Sequence, residues 1–274
     1  MAILYEESMD TYHARDAISN SKINVWRQEG PDAYWRYFVA KNLQRPDSAA
    51  FRFGRIFDLR VFLTLDLFEQ IYAVRPEGQD GRTKEGKAWA ATVGDREIIN
   101  WEDWHLIEEM MEALGGSELA TEHLVGGRSQ VTIRSELPSL GVTVQARPDY
   151  LKSAKGDRPA VLVDLKTTSD LESFRKNCVA YGYHRQLALG QWLLAKEGMQ
   201  TDAVLVVVEK KLAPRVRVLR IPEHILAAGW ESLKSDIEGI AARYKSGNWK
   251  DVQEEIEDVE IPAWAERQAI EGVL

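Results

Sequence analysis

Ala160-Val-Leu-Val-Asp164-Leu-Lys166 is the stretch from which the rest of the chain is read. A short, nearly continuous apolar run rich in β-branched residues suits a strand covered on both faces in the middle of a sheet. Its two charged residues, Asp164 and Lys166, are two apart, so they project to the same side. Upstream, beyond a polar turn at Lys155-Gly-Asp157, Gly141-Val-Thr-Val-Gln-Ala-Arg-Pro-Asp149 alternates with period two. Val142, Val144 and Ala146 face one way and Thr143, Gln145, Arg147 and Asp149 the other, which predicts a half-buried strand whose polar face ends in Asp149. If these two strands pair as a hairpin, Asp149 and Asp164 become neighbours.

Working outward, helical sequence runs from about Tyr181 to Lys196, and apolar strands follow at Ala203 to Val208 and Arg215 to Ile221. A long helix spans Pro222 to Lys245, and a tail carries Trp249 and Pro262-Ala-Trp264. Towards the amino end, Ser19-Asn-Ser21 offers N-caps for a helix through Ile23, Val25 and Trp26, and Pro31-Asp32 opens the next one. From Ala49 to Leu65 the pattern is helical, with Gly54 and Asp58 four apart on one face. A further helix covers Trp101 to Leu114. These elements predict one α/β domain over residues 1–274: a helical part to about 125, a mixed-sheet core over about 126–221, and a helical part from about 222.

The chain has 274 residues, 45% hydrophobic and 28% charged, enough for a sizeable core. No apolar stretch is long enough to cross a bilayer and no signal-peptide pattern opens the chain, so a cytoplasmic protein is expected, with no membrane partner. The single cysteine, Cys178, excludes an internal disulfide framework and a cysteine-ligated metal cluster built by this chain. A net charge of −8 argues against a protein that coats nucleic acid. It leaves room for one that gathers carboxylates around metal ions while local cations grip a phosphate backbone. Two such stripes stand out: Arg45, Arg52, Arg55 and Arg60, and Arg82, Lys84 and Lys87.

Phosphodiester hydrolysis needs an activated water, neutralisation of the scissile phosphate and help for the leaving oxygen, and carboxylate-held divalent ions serve all three. Asp149 and Asp164 are placed to hold such ions, with the Leu165 carbonyl as another oxygen ligand. Lys166 can orient or deprotonate the water and stabilise developing charge. Gln186 and Tyr183 share a helix face, where each can hold a ligand, the lysine or a phosphate, and Arg52, Arg55 and Lys84 are candidate DNA contacts. Acid-x-Lys triplets also arise by chance, as in Glu85-Gly-Lys87 and Glu209-Lys-Lys211; Glu209 is the stronger rival because it ends an apolar strand. His184 and His105 lack metal-ligand spacing, and Trp26 and Trp35 are the candidate base-stacking tryptophans.

Ala146-Arg-Pro-Asp149, Val163-Asp-Leu-Lys-Thr-Thr168 and Tyr181-Gly-Tyr-His-Arg-Gln186 resemble the core motifs of the exonuclease VIII (RecE) family of recombination exonucleases and its phage-borne relatives, within the RecB-like branch of PD-(D/E)XK nucleases. Ile18-Ser-Asn-Ser21, Phe68-Glu-Gln-Ile-Tyr72 with Pro76, Arg82-Thr-Lys-Glu-Gly-Lys87 and Ile261-Pro-Ala-Trp264 extend the resemblance over nearly the whole chain. It implies a restriction-endonuclease-like α/β fold and a Mg2+- or Mn2+-dependent exodeoxyribonuclease, with two ions per site. It further implies 5′→3′ resection of double-stranded DNA from a free end, a homo-oligomeric ring of three or four copies, and cooperation with a single-strand annealing protein. Two departures stand out. The family's metal-ligand histidine is replaced by Asp58 in Gly54-Arg-Ile-Phe-Asp58, an oxygen ligand harder than imidazole, and a Glu expected before the first core strand is Gln130. Two rival readings stand beside this one: a structure-specific or restriction-like endonuclease, and a non-catalytic DNA-binding module that kept the fold.

Overall fold

The quoted apolar run is the centre of a five-stranded mixed sheet in a computed structural model of the chain. The structure describes residues 2–5, 7–44, 47–251 and 259–271. The chain begins with β1 (Ala2–Tyr5), α1 (Met9–Ala14) and α2 (Asn20–Tyr34). α2 kinks at Gly30, whose φ of 84° lies in the left-handed region, so Pro31 opens a second helical segment as the sequence predicts. Next come α3 (Ala49–Phe62), α4 (Leu65–Ile71), β2 (Tyr72–Val74), α5 (Lys84–Ala90), β3 (Glu97–Ile99), α6 (Trp101–Gly115) and α7 (Glu118–His123).

The core follows with β4 (Gly127–Ser129), β5 (Thr132–Leu137), β6 (Val142–Ala146), β7 (Tyr150–Lys152) and β8 (Ala160–Thr168). Then come α8 (Leu171–Asn177), α9 (Tyr183–Ala195), β9 (Thr201–Glu209), β10 (Val216–Arg220), α10 (Glu223–Ser246) and α11 (Ala263–Ile270). The main sheet has the order β10-β9-β8-β7-β4; β8 and β9 are parallel, joined by a crossover through α8 and α9, and the other pairs are antiparallel. A second sheet has the order β1-β5-β6, and β2 and β3 form a parallel pair. Among the described residues no helix is long and apolar enough to cross a membrane.

β8 is buried on both faces. Ala160 and Leu162 join the apolar cluster of Leu187 and Leu193 on α9, whereas Val163 and Leu165 join Phe53, Ile56 and Phe57 of α3. Each such fully buried side chain contributes about 1.5 to 3 kcal/mol, so two helical layers clamp the strand whose end carries Asp164 and Lys166.

The expected single strand from Gly141 to Asp149 is corrected. It ends at Ala146, paired with β5; the chain then passes through Arg147-Pro148-Asp149 and enters the other sheet as β7. Pro148 has no N–H for a ladder, which favours the break where the chain changes sheets. The polar side of β6 is also not solvated: Gln145 is fully buried, accepting from Arg134 and donating to the Tyr12 carbonyl at 3.0 Å.

Candidate active site

The β7 ladder against β8 ends at Tyr150 opposite Val163, while β8 runs on to Thr168. From Asp164 onward that edge of β8 has lost its strand partner. Asp149 fills the next rung with its side chain: its Oδ2 accepts the Leu165 N–H at 2.7 Å. This fixes one carboxylate beside the strand that presents Asp164. Asp164 itself is 1% exposed, its Oδ1 accepting from Gln186 Nε2 at 2.7 Å and its Oδ2 in ion-pair contact with the Lys166 ammonium. Oδ2 has no hydrogen bond. Lys166 also donates to the Leu165 carbonyl at 3.2 Å, approaches Asp149 Oδ2 at 4.0 Å, and lies over the Tyr183 ring at 5.4 Å.

Asp58 arrives from the other layer. α3 packs on β8 with its Gly54 face towards Thr167, and one turn later the Asp58 carboxyl meets the field of Asp149, Lys166 and Asp164. The neighbouring arginines of α3 do not claim it: Arg55 pairs with Asp47 and Glu97, and Arg60 with Glu108. Burial, then the Asp149 charge, holds the Asp58 carboxyl well above the usual carboxylate range against the pull of Lys166. Burial, then Asp164, pushes Asp149 up to about 7, opposed by Lys166 and the Leu165 N–H. Burial works against the Lys166 charge, but Asp164 and Asp149 outweigh it and raise its pKa.

These residues form a hard-oxygen donor set. Asp58, Asp149, Asp164 and the Leu165 carbonyl suit a divalent cation, and the raised Asp58 and Asp149 carboxyls mark an excess of negative charge that such an ion would relieve. Among the described residues no three acidic, histidine or cysteine side chains already converge as a finished cradle. The Lys166 ammonium is the cation that Asp149 and Asp164 now share.

Asp149, Asp164, Leu165, Lys166, Gln186, Tyr183 and Asp58 are therefore brought together; Arg52, Arg55 and Lys84 take no part in this network. Arg52 bonds Glu97 and the Ile98 carbonyl, both at 2.6 Å, tying α3 to β3, and Lys84 is exposed in the first turn of α5. Arg45 lies outside the described residues. The rival Glu209 is a structural anchor: the Arg215 guanidinium grips it through two bonds of 2.8 Å, and this, with Lys211, holds its carboxyl down at about 2 despite burial. Gln130, where the resemblance implies a Glu, accepts from Arg147 at 3.1 Å and donates its N–H to the Asp149 carbonyl at 2.8 Å, so it braces the Pro148-Asp149 corner. Trp26 and Trp35 pack against the core, Trp26 edge-on to Tyr34 at 6.2 Å, and are not free stacking platforms. The sequence reading passed over Arg185, which stands between His184 and Gln186; nothing in a linear pattern marks it.

A mixed sheet with helices on both sides, an Asp entering one strand and an Asp-x-Lys on the next, defines the PD-(D/E)XK nuclease fold. The chain belongs to the family described as PDDEXK-like domain of unknown function (DUF3799), whose sequence profile matches residues 33–260. Among solved structures it is similar to a protein named "Putative exonuclease" from Eubacterium rectale, with a TM-score of 0.63 and 15% identity over 94% of this chain and 97% of the other. The structure named SSO0001 aligns at a TM-score of 0.28 and 12% identity, over 55% of this chain and 68% of that one, which is too little to carry an argument. No curated protein matches the chain. At these identities the likeness is one of fold.

Proposed function

We propose that the chain is a divalent-metal-dependent deoxyribonuclease that hydrolyses phosphodiester bonds of double-stranded DNA, acting as an exonuclease from a free end. The observation that carries this reading is the pairing of Asp149 and Asp164 on one lysine where β8 outruns its partner strand, with the Asp58 carboxyl in their electrostatic field. PD-(D/E)XK nucleases generally use divalent metals. Here Asp58, Asp149, Asp164 and the Leu165 carbonyl would hold Mg2+ or Mn2+, two ions per site. When bound, the ions neutralise the scissile phosphate and lower the pKa of a water.

The chain's own groups then divide the work. Asp149 is held in place by the Leu165 N–H, and Asp164 by the Gln186 amide, so neither carboxylate has to reorganise. Lys166, on the same side of β8 as Asp164, would orient the attacking water and stabilise charge on the pentacovalent phosphorus. Tyr183 walls the ammonium in and stacks on Phe174 at 5.2 Å, which keeps Lys166 aimed at the site.

The resemblance to RecE-like enzymes carries the proposal further: 5′→3′ resection leaving a 3′ strand for annealing, a ring of three or four copies, and a single-strand annealing partner. The deciding experiment is digestion of end-labelled linear duplex and covalently closed circular DNA with magnesium or with EDTA. Exonuclease action predicts loss of the linear substrate alone, abolished by EDTA. Cleavage of the closed circle establishes an endonuclease instead, and no cleavage of either leaves a DNA-binding module.

A further inference from the structure

Behind the site, α9 meets α2 and α10 through a cluster of polar groups that the mechanism does not use. Arg27 of α2 bonds Asp236 of α10 at 2.6 Å and the Ser232 carbonyl at 3.2 Å. Arg185 of α9 is half-buried, and its one hydrogen bond among the described residues is neutral, from Nη2 to Asn24 Oδ1 at 3.1 Å. Its Nε is buried with no partner at all, and so are Asn20 Oδ1 and His184 Nδ1. Asp236 is thus bonded by Arg27, and only its charge reaches Arg185. Burial, then the repulsion of Arg27, lowers the Arg185 pKa, and Asp236 only partly offsets this.

The guanidinium also has an unusual seat. It folds back over Gly182, the left-handed residue that precedes α9: a Cβ there would lie 2.5 Å from Arg185 Nη2. The first turn of this 13-residue helix has no acidic residue and no side-chain cap. A cation over a helix N-terminus is unfavourable, because the helix dipole leaves partial positive charge there, although the Cys178 carbonyl meets the Tyr183 N–H at 3.1 Å. The unpartnered Arg185 Nε and a guanidinium whose hydrogen bond goes to a neutral amide, beside a second guanidinium, leave unmet donors and positive charge that an anion would satisfy.

We propose that Arg185, positioned by Asn24 and flanked by Arg27, binds a backbone phosphate of the DNA strand held for cleavage. Arg185 shares the first turn of α9 with Tyr183 and Gln186 but faces α2, so the phosphate it takes is a flanking one and not the scissile one. The contact rests on the nuclease reading for its role. It positions the strand and does not touch the reacting atoms.

The test uses the full chain with Arg185→Gln and Arg185→Lys. Steady-state cleavage of a linear duplex should show KM raised about tenfold or more in Arg185→Gln with kcat changed far less, as expected for loss of a charged hydrogen bond. The log–log salt slope of duplex binding should fall by about one. Arg185→Lys should keep the slope and raise KM by less than Arg185→Gln does. A series of duplexes with one neutral methylphosphonate each should reveal a linkage near the cut that weakens the parent and leaves Arg185→Gln unaffected. Unchanged KM and slope in Arg185→Gln, or methylphosphonate effects equal in parent and variant, would overturn the contact. Thermal melting separates a misfolded variant from an informative one. If Arg185→Gln does not fold, the methylphosphonate series on the parent and Arg185→Lys decides alone: a series in which no linkage near the cut weakens both proteins more than the other linkages do overturns it. Duplex binding in EDTA is measured alongside. A parent that binds through Arg185 yet never cleaves sinks the nuclease reading and sustains the contact.

Discussion

At the scale of single residues, the site is governed by how much charge one lysine can balance. Asp164→Ala removes the carboxylate that Gln186 and Lys166 both hold, and Lys166→Ala removes the cation that the acids share. Each is expected to lower the cleavage rate by at least about 10² to 10⁴-fold, read by initial rates at saturating magnesium; turnover near the parent's in either variant would contradict the assignment. The same crowding sets a pH dependence of stability. Asp149 has its carboxyl pushed from an ordinary 3.8 to about 7. The native state then binds the extra proton between those values, so this contribution is complete below the ordinary pKa and is lost as pH rises through about 7. In EDTA the melting temperature should fall between pH 5 and pH 8, by about 2 to 4 °C for each kcal/mol in a chain of this size. Magnesium should flatten the profile, and Asp149→Asn should abolish it. A flat profile for the metal-free parent would show that Asp149 is ionised throughout.

At the scale of elements, the distance between α9 and β8 controls where Gln186 sits. Gly190 lets the helix lie on the strand: a Cβ there would come within 2.4 Å of Leu162 Cδ1, inside a fully packed layer. Gly190→Ala is therefore expected to cost about 1 to 3 kcal/mol in urea unfolding and to lower kcat by displacing the Gln186 amide from Asp164. Equal stability and kcat in the variant would show that Leu162 yields freely. The long elements were legible beforehand because their periodicity is local: β8, β9, α3, α9 and the long α10 fall where the apolar pattern puts them. Strands of three residues, such as β2, β3, β4 and β7, are too short for any period to register. The burial of Gln145 was hidden because Tyr12, which receives its amide, stands 133 positions away. The chemistry divides in the same way. Asp164 and Lys166 are readable from a spacing of two, and Asp58 from the family resemblance that places it where a histidine is usual, but the tie between Arg52 and Glu97 spans 45 positions. That pairing commits Arg52 to a brace between α3 and β3. Arg185 was overlooked for the opposite reason, since an unmet hydrogen bond leaves no trace in a sequence.

At the scale of the whole molecule, a chain with a net charge of −8 repels the polyanion it is proposed to cut. Many cations near the site are already paired, as Arg52, Arg55 and Arg60 are with Glu97, Asp47 and Glu108. The site adds three carboxyl groups against the single ammonium of Lys166. Attraction for the backbone therefore has to come from a few local contacts and from divalent ions that reverse the sign of the site. Duplex affinity measured by fluorescence anisotropy at pH 8 should be weak in EDTA and rise by about tenfold or more in calcium, a cation that accepts the same oxygen ligands. Gels run in parallel confirm that the duplex stays intact. The log–log salt slope should correspond to only a few phosphates at about 0.9 each. Asp164→Asn supplies the control, because it removes one negative charge while keeping the shape of the side chain. This variant should bind more tightly than the parent in EDTA and gain little from calcium. Equal binding with and without calcium in the parent, or a slope near that of 10 phosphates, would mean that an extended cationic track holds the DNA and that the metal site contributes to chemistry alone.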